Sequence, residues 1–486
     1  MLFAARVLAI LMVAMMMPPP AHADDASALL ERMRARIGPA WRAHLISTSL
    51  VTLNGDTVDM HTETENVRFA SYECTENLCD GTYFDGERTY DININGTALP
   101  QLEASDQYLR GERTIASFAF LDPAFADDGG RVSDDGWVTV SGERYRSLVV
   151  ANGDATPMQV FVDPAKAEVR YFRDVNGDSS FELQDYRPVD GGYVLPYLVL
   201  RNGKALERFR TRGSTSDTFT PPHGLRPAFH GPVKPIVTDP NHAAPIFACT
   251  LGGIATTCLL DSGNSGLAMS RELANQLSAA TVGSFQIRGL GNYATDVVRG
   301  GSLDVGNATF PPANYVVLND IHGLGYDVVL GADVFAATTV ALDPVSHTIA
   351  FGAPLPGSAT SVHIAFQDFL PVIPVQLGTV GTQLALDTGD ESNINLAYDF
   401  YQEHHDLFSV TEQHNVNGVG GTSVEVMGTI PTVRIGDLSV LQQRIGATQT
   451  LRSTAFGHLG AGFLAHFNVV VDYASESVYL TPAPSE

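Results

Sequence analysis

Two short segments of the chain carry the residue types of a catalyst built from carboxylates. The sequence LLDSG places Asp261 directly after an apolar stretch, and ALDTG does the same for Asp387. One such segment is ordinary turn composition, since Asp, Ser and Gly all favour turns. Two equivalent turns could bring their carboxylates into one site. Like charges in contact cannot both ionise, so the pair would share a proton and offer one base and one acid for activating water.

An internal duplication relates the two segments. LLDSGNSG at 259–266 recurs as ALDTGDES at 385–392, and LGADVFAATTVALD at 330–343 matches LGAGFLAHFNVVVD at 459–472. In each copy, a Gly-X-Gly lies between the Asp segment and the segment that begins with Leu-Gly-Ala. Because these features recur in the same order, residues from about 235 to 484 form one duplicated unit.

The pattern within each copy predicts β structure. Short apolar strands surround Gly-bearing turns, and we expect a helix soon after each Asp turn, at 270–277 and near Leu396. Residues 24–225 predict a separate antiparallel β domain with an opening helix, whose apolar face carries Leu29, Met33 and Ile37 as well as Leu30. Asn-Gly and similar turn dipeptides separate its strands.

Composition and charge exclude several classes of protein. Hydrophobic residues make up 44% of the chain, which is enough for packed cores. The net charge is −25, from 29 Lys and Arg against 54 Asp and Glu. A polyanion repels nucleic acid phosphates, so we expect no nucleic acid partner.

The first residues are typical of a signal peptide. Arg6 precedes an apolar run at 7–17, and Ala-His-Ala at 21–23 fits a cleavage site. The run is too short to span a bilayer, which needs about 20 apolar residues. We therefore expect export to the periplasm or beyond, with no integral membrane segment after the signal is removed.

Four cysteines form two close pairs, which favours two local disulfides in an exported chain. One pair is Cys74 and Cys79, and the other is Cys249 and Cys258. A turn centred on Gly253 and Ile254 would place Cys249 directly opposite Cys258, at the spacing a disulfide requires. Zinc is the rival interpretation, but the spacings are poor and no His lies nearby in a ligand pattern, so we expect no metal.

At these motifs the sequence resembles the retropepsin-like aspartic proteases, in a bacterial form with two tandem copies in one chain. The resemblance covers about 250 residues and implies that Asp261 and Asp387 are the catalytic pair, with no cofactor. It also implies roles for the residues around them. The hydroxyls of Ser262 and Thr388 would interlock the two turns. Gly263 and Gly389 would let the backbone approach the carboxylates closely, and Gly331 and Gly460 would support the turns from behind. The segments 287–300 and 416–428, with Gly289, Gly291, Gly418 and Gly420, match the hairpin flaps that close over substrate.

The sequence departs from the family pattern in the second copy. Asp390 and Glu391 follow Gly389, where a small residue is expected. They could raise the pKa values of the pair, favour basic substrates, or simply face solvent. His458 stands where an apolar residue is expected, and either a packing role or a tuning role is open.

These observations together predict a mainly β protein with four parts: a signal peptide at 1–23, an antiparallel β domain at 24–225, and protease lobes at 235–355 and 356–486. Residues 24–225 weakly resemble the half-barrels of lipoprotein carriers. We expect an exported, monomeric aspartic endopeptidase acting on peptides or proteins. The alternatives are a peptide-binding protein that retains a protease fold and a carrier of lipid or lipoprotein.

Overall fold

A computed structural model describes residues 23–53, 56–65, 68–75, 78–177, 180–288, 292–319, 321–418, 421–448 and 457–484. The fold is mainly β, as predicted. The expected signal peptide lies outside the described residues, except for Ala23. The described residues form two compact units, one of residues up to 71 with 103–219 and one of residues 72–102 with those from 220 onward.

The described residues include six α-helices: α1 Ala23–Ile37, α2 Glu103–Ala116, α3 Arg271–Gln276, α4 Ala332–Ala337, α5 Tyr398–Glu403 and α6 Ala461–Leu464. None of these helices has the length and apolar character needed to cross a bilayer. The helices α3 and α5 follow the two Asp turns, where the sequence predicts them.

The strands before residue 220 are β1 His44–Leu53, β2 Asp56–Glu65, β3 Arg68–Thr75, β4 Leu78–Phe84, β5 Thr89–Ile92, β6 Ala98–Pro100, β7 Gly130–Val140, β8 Glu143–Asn152, β9 Met158–Asp163, β10 Glu168–Asp174, β11 Ser180–Val189, β12 Tyr193–Arg201 and β13 Lys204–Ser214. The next strands are β14 Ala228–Phe229, β15 Ile236–Val237, β16 Ile246–Leu251, β17 Ile254–Leu260, β18 Leu267–Ser270, β19 Ala280–Arg288, β20 Asn292–Arg299, β21 Leu303–Val305, β22 Ala308–Phe310, β23 Asn314–Leu318, β24 Val328–Leu330, β25 Val340–Asp343 and β26 Thr348–Phe351. The last are β27 Thr360–His363, β28 Ala365–Gln367, β29 Leu370–Leu377, β30 Val380–Asp387, β31 Ile394–Ala397, β32 Ser409–Gly418, β33 Gly421–Ile435, β34 Leu438–Thr448, β35 Gly457–Gly460, β36 Phe467–Asp472 and β37 Ser477–Pro482.

The first unit is an antiparallel sheet with the strand order β2-β1-β13-β12-β11-β10-β9-β8-β7. Helix α1 packs its predicted face into the core of this unit, and Leu29, Met33 and Ile37 are buried. Turns at Asn-Gly and Gly-Gly dipeptides join its strands, as at Asn202, where φ is +51°. Such turns have a twist that matches the twist of the strands they connect.

Residues 72–102 belong to the second unit, although the sequence places them in the domain at 24–225. Strands β4, β5 and β6 form antiparallel hairpins here. The division of the chain into compact units therefore differs from the predicted boundaries at this segment.

The second unit contains two sheets that share one plan. The first sheet has the order β14-β22-β21-β16-β17-β24-β18-β23-β20-β19, and the second has β28-β29-β30-β35-β31-β34-β33-β32. In each, the strand that delivers Asp runs parallel to a short strand: β17 pairs with β24, which ends just before Gly331, and β30 pairs with β35, which ends at Gly460. The short strand is also antiparallel to the strand after the turn, β18 or β31.

A third sheet, β15-β26-β25-β36-β37-β27, links the two copies through the antiparallel pair of β25 and β36. One buried apolar cluster contains residues of both copies, among them Leu260, Leu330, Leu386 and Leu459. The two Asp turns therefore stand on a shared core, which holds them rigidly.

Candidate active site

The carboxylates of Asp261 and Asp387 meet in one place. Asp387 is the last residue of β30, and Asp261 follows directly after β17. A hydrogen bond joins the two carboxyl groups. The structure thus brings together the two residues that the repeat singled out, which are far apart in the sequence.

The hydroxyls of Ser262 and Thr388 interlock the two turns. Ser262 Oγ donates to the carbonyl of Leu386 at 2.7 Å, and Thr388 Oγ1 donates to that of Leu260 at 2.8 Å. Each hydroxyl also accepts the backbone N–H of the other residue, at 3.0 and 3.1 Å. Both side chains are 1% exposed, so water cannot replace these bonds.

Gly263 and Gly389 allow each turn to contact the opposite carboxyl group. A Cβ on Gly263 would lie 2.5 Å from Cγ of Asp387, and one on Gly389 would overlap Cγ of Asp261. Each glycine N–H donates to the Asp two positions before it, at 2.9 and 3.0 Å. A larger residue at either position would separate the carboxyl groups.

Gly331 and Gly460 lie behind the turns. A Cβ on Gly331 would collide with the carbonyl oxygen of Asn264, and one on Gly460 with that of Ser392. The backbone N–H of each glycine also holds the loop in place. Gly331 N donates to the carbonyl of Gly266 at 2.9 Å, and Gly460 N donates to that of Asn393 at 2.9 Å. In both copies the supporting glycine therefore packs tightly against the loop after the Asp turn, although its N–H donates to the fifth residue after Asp261 and to the sixth after Asp387.

Burial and mutual contact give the two carboxyl groups opposite properties. Burial, followed by the charge of Asp387, raises the pKa of Asp261 well above its usual value. Burial also acts to raise the pKa of Asp387, but the hydrogen bond and charge of His458, together with hydrogen bonds from Asp261 and the Asp390 N–H, hold that pKa below its usual value. The pKa values of the two carboxyl groups are thus shifted in opposite directions.

His458 contacts Asp387 directly, with Nδ1 at 3.1 Å from Oδ2. Only 16% of the His458 side chain and 14% of the Asp387 side chain are exposed. Burial lowers the pKa of His458, but the hydrogen bond and charge of Asp387, together with the charge of Asp390, outweigh it, so that this pKa is raised. His458 is thus packed in the interior, and it also makes a polar contact with a carboxylate of the site.

The two acidic residues after Gly389 have different surroundings. Glu391 is 54% exposed and pairs with His242 at 2.7 Å. Asp390 is partly buried, and burial together with Asp387 raises its pKa. Its Oδ1 accepts the N–H of Ser392 at 2.8 Å, as expected of a turn residue.

Among the described residues, one group of side chains is close enough to hold a metal ion. The donor atoms of Asp387, Asp390 and His458 all lie within 4.8 Å of one another. Because His458 Nδ1 is already bonded to Asp387, and nothing besides the proximity of these groups points to an ion, we assign no metal to them.

The Gly-rich segments expected to be flaps form hairpins, β19 with β20 and β32 with β33. Gly289, Gly291 and Gly420 lie outside the described residues, and Gly418 ends β32. The hairpins are present in both copies, and their closing over substrate stays a prediction.

Both cysteine pairs lie at bonding distance in the two local connectivities, Cys74 with Cys79 and Cys249 with Cys258. The predicted register of the second pair is wrong. The turn lies at Gly252 and Gly253, with φ of +56° and +85°, so Cys249 faces Thr256. The bridge therefore runs diagonally, with a Cα–Cα distance of 5.9 Å.

Sequence reasoning missed a buried polar cluster around Asp333 in α4. Its Oδ1 accepts from Asn93 at 2.8 Å and from Thr97 at 2.5 Å, and its Oδ2 accepts from Asn95 at 2.7 Å. Asn93 also donates to the carbonyl of Ser265, four residues after Asp261. The segment 72–102 thus supports the loop that follows the first Asp turn. The one sequence signal for this cluster was Asp333 itself, in LGAD at 330–333, because the second copy has Gly462 at the corresponding position.

Comparison with known families agrees with this geometry. The aspartyl protease family model matches residues 247–334, which include Asp261 and Gly331. No curated protein matches the chain. Residues 247–334 are therefore an aspartyl protease domain.

Proposed function

We propose that the chain is an exported aspartic endopeptidase and that Asp261 and Asp387 act together as its catalyst. The observation that carries this proposal is the hydrogen-bonded pair of carboxyl groups on two interlocked turns. We also propose that residues from about 356 onward form a second protease lobe. The matching strand plan and the equivalent contacts of Gly331 and Gly460 support this.

The pair can hydrolyse a peptide bond without a covalent intermediate. The ionised carboxylate takes a proton from water while the water oxygen bonds to the carbonyl carbon, and the protonated carboxyl gives its proton to the carbonyl oxygen. The carboxyl group that took the water proton then gives it to the leaving nitrogen as the C–N bond breaks, while the other carboxylate takes back a proton from a hydroxyl of the tetrahedral intermediate. One base and one acid suffice for this sequence.

An extended peptide could bind across the site by pairing with exposed strand edges of the two hairpins. Such pairing uses the backbone, while side chains fill pockets on alternate sides. The hairpins β19–β20 and β32–β33 are placed equivalently in the two sheets, which supports a substrate that contacts both copies.

Cleavage of a diverse peptide library tests the proposal. The mature protein is incubated with the library from about pH 3 to 8, and products are identified by mass spectrometry. We expect internal cleavage that a peptide analogue with a tetrahedral hydroxyl group inhibits, because such analogues resemble the transition state. Binding of peptides without any cleavage across this range would contradict the proposal and favour a binding protein.

A further inference from the structure

The two copies differ in the side chains on and beside the short strand that supports each Asp turn, β24 in the first copy and β35 in the second. In the first sheet, three of these positions are apolar and pack together: Ala268, Leu318 and Val329. The corresponding positions of the second sheet, by strand pairing, are Asn395, Thr448 and His458. Thr448 Oγ1 donates to Asn395 Oδ1 at 3.0 Å. A polar cluster thus replaces an apolar one, on the Asp387 side only.

Strand register brings His458 to Asp387. In the parallel pair of β30 and β35, His458 lies opposite Ala385, two residues before Asp387. From there its Nδ1 reaches Asp387 Oδ2. Val329, its counterpart in the first copy, is 3% exposed and can offer Asp261 neither a charge nor a hydrogen bond. The duplicated site is therefore asymmetric in charge.

We propose that His458 is a positioning residue that makes Asp387 the base of the pair and Asp261 the acid. The inference rests on the proposed function and adds a role for each carboxyl group. A protonated imidazole beside Asp387 stabilises that carboxylate, so the shared proton resides on Asp261. Asp387 then takes the proton of water, and Asp261 protonates the carbonyl oxygen.

Other charged groups near His458 favour the same assignment. Asp390 is the second carboxyl group that raises the pKa of His458, after Asp387. The charge of Asp390 also contributes to the raised pKa of Glu425 on β33, and burial, followed by the charges of Asp261 and Asp387, raises the pKa of the Tyr473 phenol. On β31, which pairs with β35, the residue opposite His458 is the neutral Asn395. Described groups around the imidazole are thus acidic or neutral, which favours its protonated form.

Titration of His458 by NMR tests the pairing without reference to turnover. Histidine Cε1 signals are followed against pH in the full chain, and the signal lost in His458→Gln identifies the residue. We expect the pKa of His458 to lie above the ordinary value of about 6.5. It should fall in Asp387→Asn, because the charge of Asp387 is then lost while burial remains. The same pKa in both proteins would overturn the proposal.

The pH dependence of kcat/KM tests the role in catalysis. His458→Gln keeps a hydrogen-bond donor but no charge, and His458→Val copies the first sheet. In both, the pKa of Asp387 should rise, so the acid limb should move upward by about 1 to 3 pH units. His405 is an exposed histidine in the connection between α5 and β32. His405→Gln is therefore the matched control and should leave the acid limb in place. An unmoved limb in both His458 variants would overturn the proposal. If no peptide is cleaved at all, the proposed function fails, and the NMR titration still decides the pairing.

Discussion

Ser262 and Thr388 make the same hydrogen bonds to each other's turn, each hydroxyl accepting the other residue's N–H and donating to a carbonyl one position before the opposite Asp. The exchange ties the two Asp turns together at a point that solvent cannot reach. Because each hydroxyl satisfies two backbone groups, loss of one leaves both unpaired in a buried position.

Thr388→Val should therefore lower the free energy of unfolding. The change keeps the shape of the side chain but leaves the N–H of Ser262 and the carbonyl of Leu260 without partners. Each buried unpaired group costs about 1 to 3 kcal/mol. Denaturant titration measures the loss, and Thr388→Ser, which keeps the hydroxyl, is the control. Equal stability of the Val and Ser variants would show that the exchange contributes little.

The raised pKa of Asp261 predicts a pH-dependent stability. Its folded-state pKa lies above the unfolded value of about 3.9, so its contribution is complete below that pH and is lost as pH rises through the folded pKa. Over that interval the unfolding free energy should fall by up to about 1.4 kcal/mol per pH unit.

Asp261→Asn should remove this dependence, because the amide does not titrate and can still donate to Asp387. The stability of the variant relative to the wild-type protein should therefore increase as pH rises above about 4. Asp406→Asn, at an exposed position, is the control. A constant difference in stability across the pH range would contradict the burial of a shared proton at this site.

The cluster around Asp333 predicts that residues 72–102 are needed by the protease unit. Asn93→Ala removes hydrogen bonds to Asp333 and to the Ser265 carbonyl, and bonds to a charged group contribute about 1.5 to 3 kcal/mol. The free energy of unfolding should fall by a comparable amount. Asn275→Ala, on an exposed face of α3, should stay within about 0.5 kcal/mol of wild type.

The bridge between Cys249 and Cys258 should stabilise the hairpin that delivers Asp261. Replacing both cysteines by Ala should lower the unfolding free energy by about 2 to 3 kcal/mol, since the bridge restricts the unfolded chain. Mass mapping without reduction provides the independent check. Free thiols at both positions in the exported protein would contradict the assignment.

The sequence predicted features that rest on local patterns or on the repeat. Asn-Gly turns, the helix face with Leu29 and Met33, and the meeting of Asp261 with Asp387 are of this kind. A repeated motif on a duplicated strand plan leaves few ways to place the two turns.

Features that depend on distant side chains were beyond such patterns. Asn93 and Asp333 come together through tertiary packing, and nothing local to either indicates the other. The contact of His458 with Asp387 depends on the register of β30 and β35. The offset of Cys249 from Cys258 arises because Gly252, with its left-handed φ, moves the turn by one residue.

Asp261 and Asp387 act as one catalyst in the proposed function, and the measurement that decides this is kcat/KM of the single and double Asn variants. Each single variant should lose turnover almost as completely as the double variant, because groups that act as a unit are not additive. Peptide binding should persist in all three, since strand pairing uses the backbone. If Asp387→Asn instead retains substantial activity with the wild-type cleavage sites, the second turn is structural and the two-turn mechanism is wrong.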